Sequence, residues 1–141
     1  VSDSNYGALS QLDHTQFAIG AERTHYHDNN YESTFLLEVQ RFFGVSKDDR
    51  ASLGFFQNDL FLGYRLSLND SHSTEYISSL IIDLERQYEV MSSFSFSRRL
   101  TDHWKISFGG LLVAASFQED DLGLSNIAQF DHLYAQLYYG L

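Results

Sequence analysis

The stretch that decides the fold runs from Tyr76 to Arg98 and reads YISSLIIDLERQYEVMSSFSFSR. Its even positions carry mostly apolar residues: Tyr76, Leu80, Ile82, Leu84, Tyr88, Val90, Phe94 and Phe96. Its odd positions carry mostly polar ones: Asp83, Glu85, Gln87, Glu89, Ser93, Ser95 and Ser97. Because successive side chains of a strand point to opposite faces, this period of two predicts β-structure with one apolar and one polar face.

The same alternation recurs along most of the chain. Further strands are predicted at Thr15–His25, Tyr31–Phe43, Leu60–Leu68, Trp104–Ser116 and Phe130–Leu141. Clusters rich in Asn, Asp and Ser separate them, and these residue types suit turns. Helical periodicity is almost absent, so the sequence predicts an all-β, antiparallel fold.

Strand length sets the predicted number of strands. At about 3.3 Å per residue, a single strand over Tyr76–Arg98 would extend roughly 75 Å, whereas the apolar band of a membrane barrel is about 25 Å tall. Turns at Glu85–Gln87 and at Gln57–Asp59 would give about eight strands, a minimal closed barrel. Without those turns the chain has six long strands and needs partner chains or a larger barrel. Residues 14–141 are predicted to form this single β-barrel domain, after a lead-in or plug at residues 1–13.

Composition excludes several classes of function. The net charge of −10 lacks the basic footprint that nucleic-acid binding needs. The absence of cysteine excludes disulfides and Cys-ligated metals. The longest apolar run, Leu111–Ala115, is too short for a membrane-spanning helix, and no positively charged leader precedes an apolar segment. We expect no cofactor and no metal.

Three features favour a membrane barrel over a soluble one. The polar faces are rich in Ser, Gly, Thr and carboxylates, as in a wet barrel interior. The apolar faces end in aromatic residues, as in the girdles at membrane interfaces: Tyr76, Tyr88, Phe96, Trp104 and Tyr139. Short turns alternate with a long polar connection at Gln118–Gln129.

Two stretches resemble Gram-negative outer-membrane β-barrel proteins as a class. Ser97–Gly109 (SRRLTDHWKISFG) is similar to an inner turn of such barrels, in which Leu-Thr-Asp turns the chain and Trp opens the next strand. Asp131–Leu141 (DHLYAQLYYGL) is similar to their C-terminal strand, although it ends on Leu where theirs usually ends on Phe. The resemblance implies an antiparallel transmembrane-type barrel in the outer membrane, in contact with outer-membrane lipid.

If the apolar faces contact lipid, the polar faces line the barrel interior. The sequence then predicts that this interior is acidic and porin-like. The candidate lumen-facing residues are Glu22, Glu32, Glu38, Arg65, Asp83, Glu85, Glu89 and Lys105. Six acids against two bases would disfavour anions in an aqueous path. In the simpler interpretation the charges pair across a plugged interior, since eight strands leave room only for side chains.

No catalytic site is predicted, because no Gly-x-Ser-x-Gly, His-Glu-x-x-His or P-loop motif occurs. The first hypothesis is therefore a structural or surface-interaction barrel or a narrow cation-preferring pore, alone, as a homo-oligomer or with further chains completing the barrel. An alternative is a lipid hydrolase or acyltransferase at the barrel rim, using residues near His25, His27, Asp28, Asp102 and His103. Another alternative is a soluble ligand-binding barrel with its apolar face inward, in which Leu111–Ala115 could line a hydrophobic pocket.

Overall fold

The described residues form one antiparallel sheet of seven strands. A computed structural model describes residues 14–46, 58–85, 89–115 and 131–140. The strands are β1 (Thr15–Tyr26), β2 (Glu32–Phe43), β3 (Asn58–Ser67), β4 (Glu75–Asp83), β5 (Val90–Arg99), β6 (Trp104–Ala114) and β7 (His132–Tyr139). Each strand pairs with its neighbours in the sequence, in the order β1 to β7. The prediction of an all-β antiparallel fold is confirmed.

Short turns meet at one end of the sheet, called here the short-turn end. They comprise residues 27–31, 68–74 and 100–103. In the first turn the His27 amide donates to the Tyr31 carbonyl at 2.8 Å, and Asn30 adopts a φ of 66°. Asn tolerates this left-handed backbone, which explains why a polar cluster ends β1 here. The opposite end of the sheet, where β2 ends at Phe43, β4 at Asp83 and β6 at Ala114, is called here the long-connection end.

The six-strand alternative is wrong, because Tyr76–Arg98 does not form one strand. β4 ends at Asp83, β5 begins at Val90, and the Asp83 amide donates to the Glu89 carbonyl at 3.0 Å across the predicted turn. The predicted turn at Gln57–Asp59 is also wrong at its last two positions, since Asn58 and Asp59 open β3. The eighth predicted strand would precede that turn and falls outside the described residues, as does the lead-in at residues 1–13.

The sheet is open in the part of the chain that the structure describes. β1 and β7 are its edges, and nearly every residue of both is exposed. Among the described residues only Phe42 and Val113 are buried hydrophobic side chains. Within the described residues no second layer packs on the sheet, so each face needs another layer, lipid or water to cover it.

The run at Leu111–Ala115 lies mainly in β6 and serves both faces. Leu112 and Ala114 point to one face and Leu111 and Val113 to the other. The Val113 amide, beyond the last β6–β7 pair, donates to the Asp131 carboxylate at 2.6 Å. No helix of the described residues is long and apolar enough to cross a membrane.

Candidate functional site

The two faces of the sheet differ sharply in chemistry. One register row joins Ala21, Leu37, Leu62, Leu80, Ser92 and Leu112, and the face to which it belongs is called here the apolar face. The adjacent row on the other side joins Glu22, Leu36, Gly63, Ser79, Ser93 and Leu111, on what is called here the polar face. Because the pairing keeps every row on one side, the alternation in each strand adds up to two continuous surfaces.

Six of the eight candidate lumen residues lie within strands, and the register brings all six to the polar face. They are Glu22, Glu32, Glu38, Arg65, Asp83 and Lys105. The other two lie in the β4–β5 connection. There the Glu85 amide donates to the Asp83 carboxylate at 2.7 Å, while Glu89 is 1% exposed. Their orientation toward a lumen stays a prediction.

Arg65 has an ion-pair partner that the sequence did not single out. Its Nε donates to Glu75 Oε1 at 2.5 Å, between β3 and β4. These two residues and Lys105 line a polar depression of about 400 Å³ near the short-turn end. The pair joins a base and an acid of the polar face on neighbouring strands, and pairing of charges across a plugged interior stays a prediction. Glu75 was missed because the predicted strand began at Tyr76.

Asp59 is a second residue of the polar face that the sequence did not identify. It lies opposite Asp83 in the β3–β4 register, and both residues are buried, at 5% and 4% exposure. The interpretation of Asn58–Asp59 as a turn concealed it. The polar face therefore carries two neighbouring acidic side chains at its long-connection end.

Hydroxyl groups tie neighbouring strands together across the polar face. Ser79 and Ser93 share a hydrogen bond of 2.7 Å between β4 and β5. Thr24 and Thr34 share one of 3.0 Å between β1 and β2. Such cross-strand pairs stabilise a sheet locally, and each hydroxyl group here has a hydrogen-bond partner on the neighbouring strand.

The apolar face carries no carboxylate within the described strands. The described strand carboxylates all belong to the polar face: Glu22, Glu32, Glu38, Asp59, Glu75 and Asp83. The ionised strand residues of the apolar face are arginines, namely Arg23, Arg41 and Arg98. The face therefore has a positive local charge in a chain whose net charge is −10.

Aromatic pairs cross the apolar face along a diagonal. Phe35 contacts Tyr64 with ring centroids 4.9 Å apart, and Phe96 stacks on Phe108 at 4.9 Å. Trp104 contacts Tyr139 at 4.9 Å, still nearer the short-turn end. From β2 to β7, this line of contacts moves progressively toward that end of the sheet.

Two of the six histidines lie together beside a serine, and a third contacts the backbone of another strand end. His27 Nε2 lies 2.8 Å from Ser33 Oγ, and the His25 and His27 ring centroids are 4.5 Å apart. His103 lies in another turn, where its Nδ1 is 3.1 Å from the Gly140 carbonyl oxygen. A serine within hydrogen-bond distance of an imidazole is a minimal nucleophile–base pair. The described residues contain no group of three His, Cys, Asp or Glu side chains that could hold a metal ion.

Comparison of the chain with protein-family models, with curated proteins and with solved structures found no match.

Proposed function

We propose that this chain forms the wall of a β-barrel in a Gram-negative outer membrane. Its role there is structural, in surface interaction, or as a narrow cation-preferring pore. The supporting observation is the single sheet layer with an apolar face that lacks carboxylates and a polar face that holds all the described strand carboxylates. In a membrane barrel the apolar face contacts lipid and the polar face lines the interior.

The stagger of the strands supports barrel geometry. β2 begins at Glu32, and the register row of Glu32 reaches Ser97 in β5. β5 does not end at this row but continues to Arg99. At the opposite end β1 and β2 pair as far as Thr15 and Phe43, whereas β6 and β7 stop pairing at Leu111 and His132. The paired region thus shifts steadily along the sheet, and such a shift tilts the strands of a closed barrel.

The line of aromatic contacts on the apolar face shifts along the sheet in the same direction. If the strands tilt in a barrel so that their ends lie at the same height in the membrane, the contacts Phe35–Tyr64 and Trp104–Tyr139 approach a common depth in the bilayer. A band of aromatic rings at one depth is typical of a membrane interface, where one edge of a ring is wet and the other is in hydrocarbon.

The two edge strands define what closure requires. β1 and β7 both run from the long-connection end to the short-turn end. Direct pairing between them would therefore be parallel, and an all-antiparallel barrel needs an odd number of further strands between them. We propose that these strands come from undescribed parts of this chain, a second copy or another chain.

Refolding from urea with and without detergent micelles tests the proposal. We expect β-structure by far-UV circular dichroism and a heat-modified gel mobility only with micelles. Conductance in planar bilayers then separates a pore from a plugged barrel. Folding to a compact monomer in plain buffer would overturn the proposal and favour the soluble alternative, in which the groove of about 770 Å³ on the apolar face becomes the ligand site.

A second candidate, lipid ester hydrolysis at the barrel rim, is favoured by one contact, that between His27 and Ser33. Ser33 is 6% exposed, so a substrate would need to displace neighbouring groups to reach its hydroxyl. Labelling with a fluorophosphonate probe tests this candidate. Labelling of the parent protein that is lost in Ser33→Ala would support hydrolysis, and an unlabelled, folded parent would exclude this serine as nucleophile.

A further inference from the structure

The groove on the apolar face combines apolar walls with one cationic group. It extends across β1 to β5 with a volume of about 770 Å³, a size typical of small-molecule sites. Phe35, Leu62 and Leu80 are among the side chains along it, and Arg23 lies on the β1 side. Glu22, the one carboxylate residue among the described lining residues, belongs by register to the polar face.

Two serines provide the depression in this face. Ser92 lies opposite Leu80, and Ser78 lies opposite Phe94, in the β4–β5 register. Each pair sets a small side chain beside a large one, and so the surface dips between the larger side chains. Serine hydroxyls add little polarity here, because the groove exposes mainly apolar surface.

Arg23 requires an anion if this face contacts lipid. In the described part of the chain it forms no ion pair with a carboxylate, and it lies beside Phe35 in the register. A guanidinium facing hydrocarbon is costly unless it reaches a phosphate or carboxylate at the interface. Its planar set of donors matches the oxygens of a phosphate, which it binds with two parallel hydrogen bonds.

We propose that the groove holds one acyl chain of an anionic phospholipid whose phosphate binds Arg23. This inference rests on the proposed function, since it needs the apolar face to lie against the membrane. Charge complementarity selects the occupant: the ionised strand residues of this face are arginines, and Arg23 is the one that lines the groove.

Fluorescence quenching in mixed micelles tests the site. Trp104 is the single tryptophan of the chain, so a reporter with Trp104→Phe and Phe94→Trp moves the fluorophore into the groove. Phosphatidylglycerol with brominated acyl chains is titrated into maltoside micelles, and phosphatidylcholine with the same chains is the comparison. We expect half-maximal quenching at about fivefold lower phosphatidylglycerol, the effect of one basic residue near an anionic headgroup.

Matched variants assign the preference to the groove. Arg23→Gln should abolish the fivefold difference and Arg23→Lys should keep part of it, whereas Arg99→Gln, on the polar face, should leave it intact. Ser92→Phe should fill the groove and weaken quenching by both lipids. Folding of each variant is checked by heat-modified mobility.

Equal quenching by the two lipids in the reporter would overturn the lipid site. So would a loss of the fivefold difference in Arg99→Gln as large as the loss in Arg23→Gln. If that result came from a protein that folds only with micelles, the membrane proposal would stand without the site. A reporter that folds in plain buffer would instead overturn the proposed function itself.

Discussion

The aromatic ring of Tyr134 lies across Gly109 on the polar face. The two residues are direct partners in the β6–β7 register. A Cβ atom added at Gly109 would lie 2.6 Å from the Tyr134 hydroxyl oxygen and would also collide with the Phe94 carbonyl oxygen. The absent side chain therefore provides the space that Tyr134 occupies. Such a pairing of an aromatic ring with a glycine holds the register of two strands.

Gly109→Ala should destabilise the protein by about 1–3 kcal/mol, the usual cost of forcing extra atoms into a packed site. The added methyl group meets backbone as well as the ring, so a change of the Tyr134 rotamer alone cannot relieve it. Urea unfolding under the conditions in which the protein folds would measure the loss. Gly140→Ala is the control, because a Cβ there meets no atom within 4 Å. Equal midpoints for the two variants would contradict the packing account.

An arginine scan of two adjacent residues should report which face contacts lipid. Leu80 lies on the apolar face, and Ser79 points the other way. Leu80→Arg should cost up to about 2–4 kcal/mol in micelles, as for a charge placed against hydrocarbon. Ser79→Arg should cost about 1 kcal/mol, for loss of the hydrogen bond to Ser93. The reverse order of unfolding free energies would mean that the polar face is the one in contact with lipid.

The sequence predicted the faces of the strands better than the contacts across them. Alternation alone placed Glu32 and Glu38 on one face and Phe35 and Leu37 on the other, because side-chain parity is a local property of a strand. The Arg65–Glu75 pair could not be predicted in this way, since it depends on the β3–β4 register.

The wrong turn at Asn58–Asp59 has a similar cause. Asn and Asp favour turns in isolation, but here they open β3, where pairing with β2 and β4 outweighs local preference. The groove was also beyond sequence analysis, because it arises where Ser78 and Ser92 meet large partners on a neighbouring strand.

Asp70 should titrate below its ordinary pKa of 3.8. The Thr74 amide and hydroxyl both donate to its carboxylate at 2.8 Å, and these hydrogen bonds lower the pKa of Asp70 by stabilising the charged form. Because the folded-state pKa is depressed, the stabilisation is complete above the unfolded value and is lost as the pH falls through the folded one.

NMR titration of the Asp70 side chain would give its pKa directly. Asp70→Ala should remove the acid-dependent part of stability that comes from the β3–β4 turn and should leave the pH dependence above about 5 unchanged. An Asp70 pKa at or above 3.8 in the folded protein would contradict this role of the Thr74 hydrogen bonds.

Glu38 should set ion preference if the barrel conducts. It lies on the polar face, half-buried, in the same register row as Gly20 and Phe61. Glu38→Gln removes one negative charge from this surface, and Glu38→Lys reverses it. The reversal potential in a KCl gradient should move from the cation-preferring side toward zero in the first variant and further in the second. Asp102→Asn, in an exposed turn at the short-turn end, should leave the reversal potential nearly unchanged, because salt screens charges more than about 10 Å away.

A conducting barrel whose reversal potential is the same in both Glu38 variants as in the parent would contradict the placement of Glu38 in the ion path. A folded, micelle-dependent protein with no conductance at all would exclude the pore role and leave the structural one.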